Sequence, residues 1–250
     1  MLAWKPPPVV VLCWPVTVIA GVRTDAGVLL AADRAAVNPG RLIAPGVYAP
    51  QDERTKLVLA PGGVALALAG TVGTGDPLDG EAADLLTAAR AVVAEVVDGG
   101  VAALAVRRLF ERAAPAIRRY AEPLGAPTVL PPFERPVRAV ALVSGPEPGG
   151  PRLYAVGLTT DGDCVVADID GPGTAYGPTD VVTDLEQAVL DAAGQPLEGA
   201  VRRVGAAITD VSCRHPNLVT LDWDRVVVGP QGAGPLEEHR HPRRVVVPRH

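Results

Sequence analysis

Apolar residues in this chain repeat every second position in some stretches and every third or fourth in others. The order of those stretches restricts the fold severely. Thr17 to Val22 and Val28 to Asp33 are β-branched or apolar runs around Arg23-Thr-Asp-Ala-Gly27, which reads as a hairpin. Lys56 to Leu59 and Val64 to Ala69 form a second pair around Pro61-Gly-Gly63. Between the pairs, Asn38 to Pro50 reads as a Pro/Gly loop, so the first third reads as an antiparallel meander. The period then lengthens: Leu78, Ala82, Leu85, Leu86, Ala89, Val93 and Val96 predict a helix over 78–97. A second helix is expected from Val101 to Tyr120, kinked or shortened at Pro115. Strands return at 137–144, 152–158 and 163–169, helices at 181–193 and 197–211, and short strands at 218–221 and 225–228.

Strands, two helices, strands, two helices, strands is not the regular alternation that builds a parallel sheet. Two antiparallel sheets stacked face to face, each covered by a helix pair, would bury every apolar face. The expected class is therefore α+β, a four-layer αββα sandwich. Its core must be built from small side chains, because 48% of residues are hydrophobic and only 4% are aromatic. The Pro-rich stretch 123–136 is too short to separate two cores, so residues 17–229 read as one domain. Residues 1–16 then form a short leader, and 230–250 a basic tail without period, expected to be disordered.

Several classes are disfavoured. The formal net charge of −5 gives a nucleic-acid partner no support. The apolar run Val9 to Val22 is shorter than the ~20 residues a membrane helix needs, and Pro15 interrupts it. Cys13, Cys164 and Cys213 are widely spaced and form no CxxC pair, which fits neither a disulfide framework nor a zinc site. A reducing cytoplasm is the simplest compartment. His239, His241 and His250 lie among Arg and Pro and read as tail rather than as metal ligands.

The stretch from Thr17 through Ala31-Ala-Asp33-Arg resembles the mature N-terminus of proteasome β-type subunits, in the N-terminal-nucleophile (Ntn) hydrolase superfamily. Sixteen positions separate Thr17 from Asp33, as in that family. Lys56-Leu-Val resembles the segment with the family's catalytic lysine, and Ala-Leu-Ala-Gly70, fourteen positions on, its oxyanion segment. Arg152-Leu-Tyr-Ala-Val with Asp161-Gly162 resembles the second hairpin, and Ala207-Ile-Thr-Asp210 the helix end bearing a family aspartate. Ser212 and Cys213 are both candidates for a nearby serine position. An insertion lies between Asp33 and Lys56, where loop length is cheap.

The resemblance implies a threonine-type peptidase acting on peptides or unfolded proteins within a homo-oligomeric ring, with or without α-type subunits. It implies no cofactor and no metal. Thr17 would be the nucleophile, its freed α-amine the base, Asp33 and Lys56 a supporting ion pair, Gly70 N–H the oxyanion donor and Asp210 a further catalytic residue. Ala36, Arg54, Leu68 and Val72 would surround the first substrate side chain. Taken singly, Asp33 reads as a strand-end polar residue, Lys56 as an exposed cation and Thr17 as a β-former. Their joint spacing is what favours the catalytic reading.

Two positions depart from the family pattern. Val16 stands where self-processing members have Gly, and a β-branched residue resists the tight turn that self-cleavage needs. Gly177-Pro-Thr-Asp180 replaces a Gly-Ser motif, and Pro178 supplies neither hydroxyl nor N–H. These departures support an alternative, a non-catalytic and unprocessed ring subunit. A third reading is an unrelated Ntn amidase acting on small molecules. Prolines at 6, 7, 8 and 15 exclude the N-terminal helix of α-type members, so the β-type reading is preferred.

Overall fold

The computed structural model describes residues 17–44, 47–53, 55–70, 73–74, 83–120, 132–216 and 219–241. The chain begins with β1 (Ile19–Thr24), β2 (Gly27–Asp33), β3 (Ala35–Ala44), β4 (Val47–Glu53), β5 (Leu57–Leu59) and β6 (Ala65–Gly70). Two-residue strands β7 (Gly73–Thr74) and β8 (Ala83–Asp84) lead to α1 (Leu85–Val93) and α2 (Gly99–Tyr120). Next come β9 (Val137–Gly145), β10 (Arg152–Thr159), β11 (Cys164–Asp168) and β12 (Gly173–Tyr176). Helices α3 (Thr179–Ala192) and α4 (Leu197–Arg214) precede β13 (Trp223–Gly229), β14 (Gly232–Ala233) and β15 (Glu237–His239).

Two antiparallel sheets form the centre. The first has the order β12-β1-β2-β13-β14, with β15 also on β13, and the second β11-β10-β9-β6-β5. Helices α3 and α4 pack on the first sheet, α1 and α2 on the second. This is the expected αββα sandwich. The sequence of β6, Ala-Leu-Ala-Leu-Ala-Gly, explains the layering. Ala65, Ala67 and Ala69 face the first sheet, while Leu66 and Leu68 face α1 and α2. Small residues on one face let the sheets approach. Burying each leucine on the other contributes about 1.5–3 kcal/mol.

Several sequence expectations need correction. The two early hairpins do not make one meander, because β1–β2 and β5–β6 belong to different sheets. The expected loop after Asp33 contains the β3–β4 hairpin, whose register shifts three times. Pro39, Gly40 and Pro50 hid it, since an irregular ribbon lacks clean alternation. Helix α1 ends at Val93, and of the expected helix 78–97 residues 78–82 lie outside the described residues. Helix α2 runs through Pro115 to Tyr120, anchored on either side by buried Phe110, Ala114 and Ile117. No strand covers 219–222, and β13 runs instead from Trp223. β12, which pairs with β1 from Ile19 to Val22, was not anticipated. Part of the expected disordered tail is ordered: β14 and β15 both pair with β13. Short polar strands such as Glu237–His239 carry no periodic signal and form because β13 offers them an edge.

Candidate active site

Antiparallel pairing of β1 and β2 puts the end of β2 beside the start of β1. The Asp33 N–H donates to Val18 O (3.1 Å), and the Val18 N–H donates to Asp33 Oδ1 (3.1 Å). Thr17 is thereby fixed one residue from this reciprocal pair and is 3% exposed. The Ala35 N–H donates to Asp33 Oδ2 at 3.0 Å. Lys56 arrives from the second sheet, its carbonyl accepting from Leu68 N–H at 3.1 Å. Its ammonium donates to Asp33 Oδ1 at 2.8 Å. The carboxylate thus accepts two backbone N–H groups and one ammonium in a fully buried position.

Two glycines are held by close packing, and the second of them touches this centre. Gly70 ends β6 at φ +93°, and a Cβ there would lie 2.4 Å from the Arg138 carbonyl oxygen. Gly177, just before α3, lies against the nucleophile candidate. A Cβ on it would fall 2.8 Å from Val18 Cγ1 and 3.3 Å from Thr17 O.

The charges are unusual for their depth. Burial pulls the Lys56 ammonium below the ordinary lysine value, opposed by the Asp33 and Asp224 carboxylates. Burial likewise pushes Asp33 up, opposed by Lys56 and the two backbone donors. Next to them, Arg34 Nη1 reaches both oxygens of Asp224 at 2.7 and 2.8 Å. The Asp224 side chain is 0% exposed and that of Arg34 8%. Lys56 is also a rarity: the chain has 21 arginines and two lysines, Lys5 and Lys56. A composition that supplies arginine nearly everywhere else keeps lysine at this buried position. That count was available in the sequence and was a sharper signal than the spacing alone.

Other expected site residues do not join the cluster. The Asp210 side chain is 68% exposed and pairs with Arg214 at 2.9 Å, and Arg214 also bonds Asp184. It lies on the solvent side of α4 because the helix turns Ile208 and Val211 inward instead. Ser212 is buried but donates to Val219 O at 2.8 Å, and Cys213 is exposed. Leu68 is 1% exposed in the core beneath α1 and α2. Only the backbone of Ala36 is described, within β3, and Arg54 and Val72 lie outside the described residues. Sequence reasoning missed Arg34 and Asp224, which no local motif connects across 190 positions. Among the described residues, no group of His, Cys, Asp and Glu is arranged to hold a metal, and no helix is long and apolar enough to cross a membrane.

A solved structure of a Gly-1 mutant of Anbu from Hyphomicrobium sp. strain MC1 superposes with a TM-score of 0.55. The match covers 89% of this chain and 86% of that one at 16% identity. The fold is that of the Ntn hydrolases. At this identity the likeness concerns architecture, and Anbu is a proteasome-like bacterial protein of that architecture. No family model matches the sequence, and no curated protein matches it.

Proposed function

We propose that this chain is a threonine-type peptidase subunit of a proteasome-like ring, with Thr17 as nucleophile once residues 1–16 are removed. The observation that carries the reading is the buried Lys56–Asp33 pair one residue from Thr17. A buried ion pair is seldom the most stable way to fill a core, since desolvation offsets its attraction. Its retention beside a threonine is explained by chemistry that uses the charge.

A hydroxyl becomes a useful nucleophile only when a base takes its proton. Freed of Val16, the Thr17 α-amine would be that base, with an ordinary pKa of about 7.7–8.0. The Lys56 ammonium would favour developing negative charge on Thr17 Oγ, and Asp33 would keep that ammonium charged and aimed. Oγ would attack the scissile carbonyl carbon, with the Gly70 N–H as oxyanion donor. Collapse would expel the amine product with the transferred proton and leave an ester on Thr17. Water would then hydrolyse that ester, with the α-amine as base again. Loss of one oxyanion donor of this kind costs about 2.7–4 kcal/mol in activation free energy. A closed ring would restrict access to unfolded chains and peptides.

A second reading is an unprocessed, non-catalytic ring subunit, favoured by Val16, Pro178 and the solvent-facing Asp210. The deciding experiment is the intact mass of the purified protein, alone and co-expressed with an α-type partner. A species beginning at Thr17 and lacking Met1 to Val16 is expected. A chain that keeps its full mass under both conditions leaves Thr17 without a free amine and turns the assignment to the structural subunit.

A further inference from the structure

We propose that the outer face of α2 docks a second copy of this chain, joined antiparallel about a two-fold axis at Val101. The contact goes beyond the peptidase reading and does not depend on it.

Among the described residues, the exposed large apolar side chains are Leu59, Val97, Val101, Leu104 and Leu190. Val97, Val101 and Leu104 stand together, at spacings of four and three, which places them on one side of the helix. They are 66%, 55% and 49% exposed. The helix cannot turn them inward, because its opposite side already buries Ala102, Ala103, Val106 and Phe110 in the second sheet's outer core. Its start is fixed as well: Asp98 Oδ1 accepts the Val101 N–H at 2.9 Å. Val97 rests on the β5–β6 turn, where a Cβ on Gly62 would fall 2.8 Å from Val97 Cγ1. A single exposed apolar side chain is ordinary, but a contiguous stripe marks an interaction site.

Charge selects the occupant and its direction. Exposed Glu95 precedes the stripe, and exposed Arg107, Arg108 and Arg112 follow it. The surface thus reads acid, apolar, base along the chain. Such an order complements itself only when one copy is reversed. A parallel copy would stack Arg108 and Arg112 on their own counterparts. An antiparallel copy sets Val101 on the partner's Val101 and Arg108 beside the partner's Glu95, and the two-fold axis repeats that charge pair. Arg107 already pairs with Glu111 at 2.8 Å, whereas Arg108 and Arg112 make no ion pair among the described residues. Arg108 lies about 10 Å along the helix from the axis, so the two Arg108 charges stand about 21 Å apart, beyond the ~8 Å screening length. Reversal also puts the partner's Val97 opposite Ala105. There a shallow groove lined by Val92, Ala105, Arg108, Glu111 and Arg112 offers it a seat.

Disulfide trapping tests the axis. In the full chain with Cys13, Cys164 and Cys213 each changed to Ala, Val101→Cys is expected to give a covalent dimer under mild oxidation, because the axis brings this position onto itself. Arg112→Cys, about 16 Å along the helix from the axis, is expected to give none. Ring contacts elsewhere on the molecule can add copies but do not join position 101 to itself. Sedimentation over a dilution series then tests the charges. Arg108→Glu and Glu95→Arg should each weaken self-association about tenfold, since a two-fold contact suffers each change twice. Glu95→Arg/Arg108→Glu should restore the parent's association. These side chains are all exposed, so circular dichroism should show every variant folded. A Val101→Cys chain that cross-links no more than Arg112→Cys overturns the proposal, and that is the result expected if residues 1–16 or another protein cover the stripe. Association that the double charge variant fails to restore overturns it too, because the antiparallel pairing is then absent.

Discussion

The Lys56 ammonium lies 2.8 Å from the Asp33 carboxylate, and the two side chains are 2% and 0% exposed. The contact joins the two sheets of the sandwich, because Asp33 ends a strand of the first and Lys56 precedes a strand of the second. It therefore has a structural consequence whether or not the chain cleaves peptides. Removing both charges restores an apolar interface, whereas removing one strands the other in a medium that solvates it poorly.

Lys56→Met is accordingly expected to destabilise the protein by about 3–5 kcal/mol, since it leaves Asp33 buried without its cation. Asp33→Asn/Lys56→Met should cost less than the sum of the two single changes, because the partners are coupled. Urea unfolding of the four proteins completes the cycle. Additive losses would show that the contact carries no interaction energy. In the processed protein, Lys56→Met should also abolish peptide cleavage.

Asp210→Asn is expected to leave stability within about 0.5 kcal/mol of the parent and any peptidase activity within about twofold. The side chain is 68% exposed, and its partner Arg214 keeps Asp184. Unfolding midpoints and initial rates on a fluorogenic peptide test this. A large drop in rate with unchanged stability would mean that α4 presents Asp210 differently in the assembled ring.

The sequence made the layers legible because each long element repeats its own period. Leu85, Leu86, Ala89 and Val93 mark α1, and the alternation of β6 marks both faces of its sheet. The Thr17, Asp33, Lys56 and Gly70 segments were singled out by their resemblance to proteasome β-type subunits, and the structure joins Asp33 to Lys56 beside Thr17. Asp224 could not be found so. Its partner is 190 positions away, and an Asp in Asp222-Trp-Asp224-Arg reads locally as a polar strand end. The misplacement of Asp210 has a similar cause. Periodicity locates a helix but leaves the rotation of its last turn open, and the packing of Ile208 and Val211 decides which side faces solvent. The β3–β4 ribbon and β15 escaped notice because their pairing partners, not their own residues, make them strands.

Gly177→Ala tests the neighbourhood of Thr17 with a single methyl. The new Cβ would fall 2.8 Å from Val18 Cγ1 and 3.3 Å from Thr17 O. One neighbour is the stiff β-branched side chain of Val18 and the other the Thr17 backbone, so one of them must give. Overpacking of this kind costs about 1–3 kcal/mol. The expected result is a lower unfolding midpoint together with slower removal of residues 1–16, read by intact mass over time. Unchanged processing in a destabilised variant would separate Thr17's placement from the α3 junction.

The processed protein should show a bell-shaped dependence of cleavage rate on pH, set by two groups with opposite requirements. The Thr17 α-amine must be neutral to accept the hydroxyl proton, so the rate rises with pH on the acid limb as that amine loses its proton. Lys56 must remain protonated, so the rate falls as pH passes its value in the folded protein. Burial lowers that value from the ordinary 10.5, with Asp33 and Asp224 opposing the change, and the alkaline limb must lie below 10.5. Denaturation through the same group would have the opposite sign. Between the lowered folded value and the ordinary one, the unfolded chain holds a proton that the folded chain lacks, so this group makes stability rise with pH. Loss of rate with intact circular dichroism on that limb therefore reports Lys56 itself. A rate that stays flat to pH 10.5 would rule out the lysine ammonium as part of the mechanism.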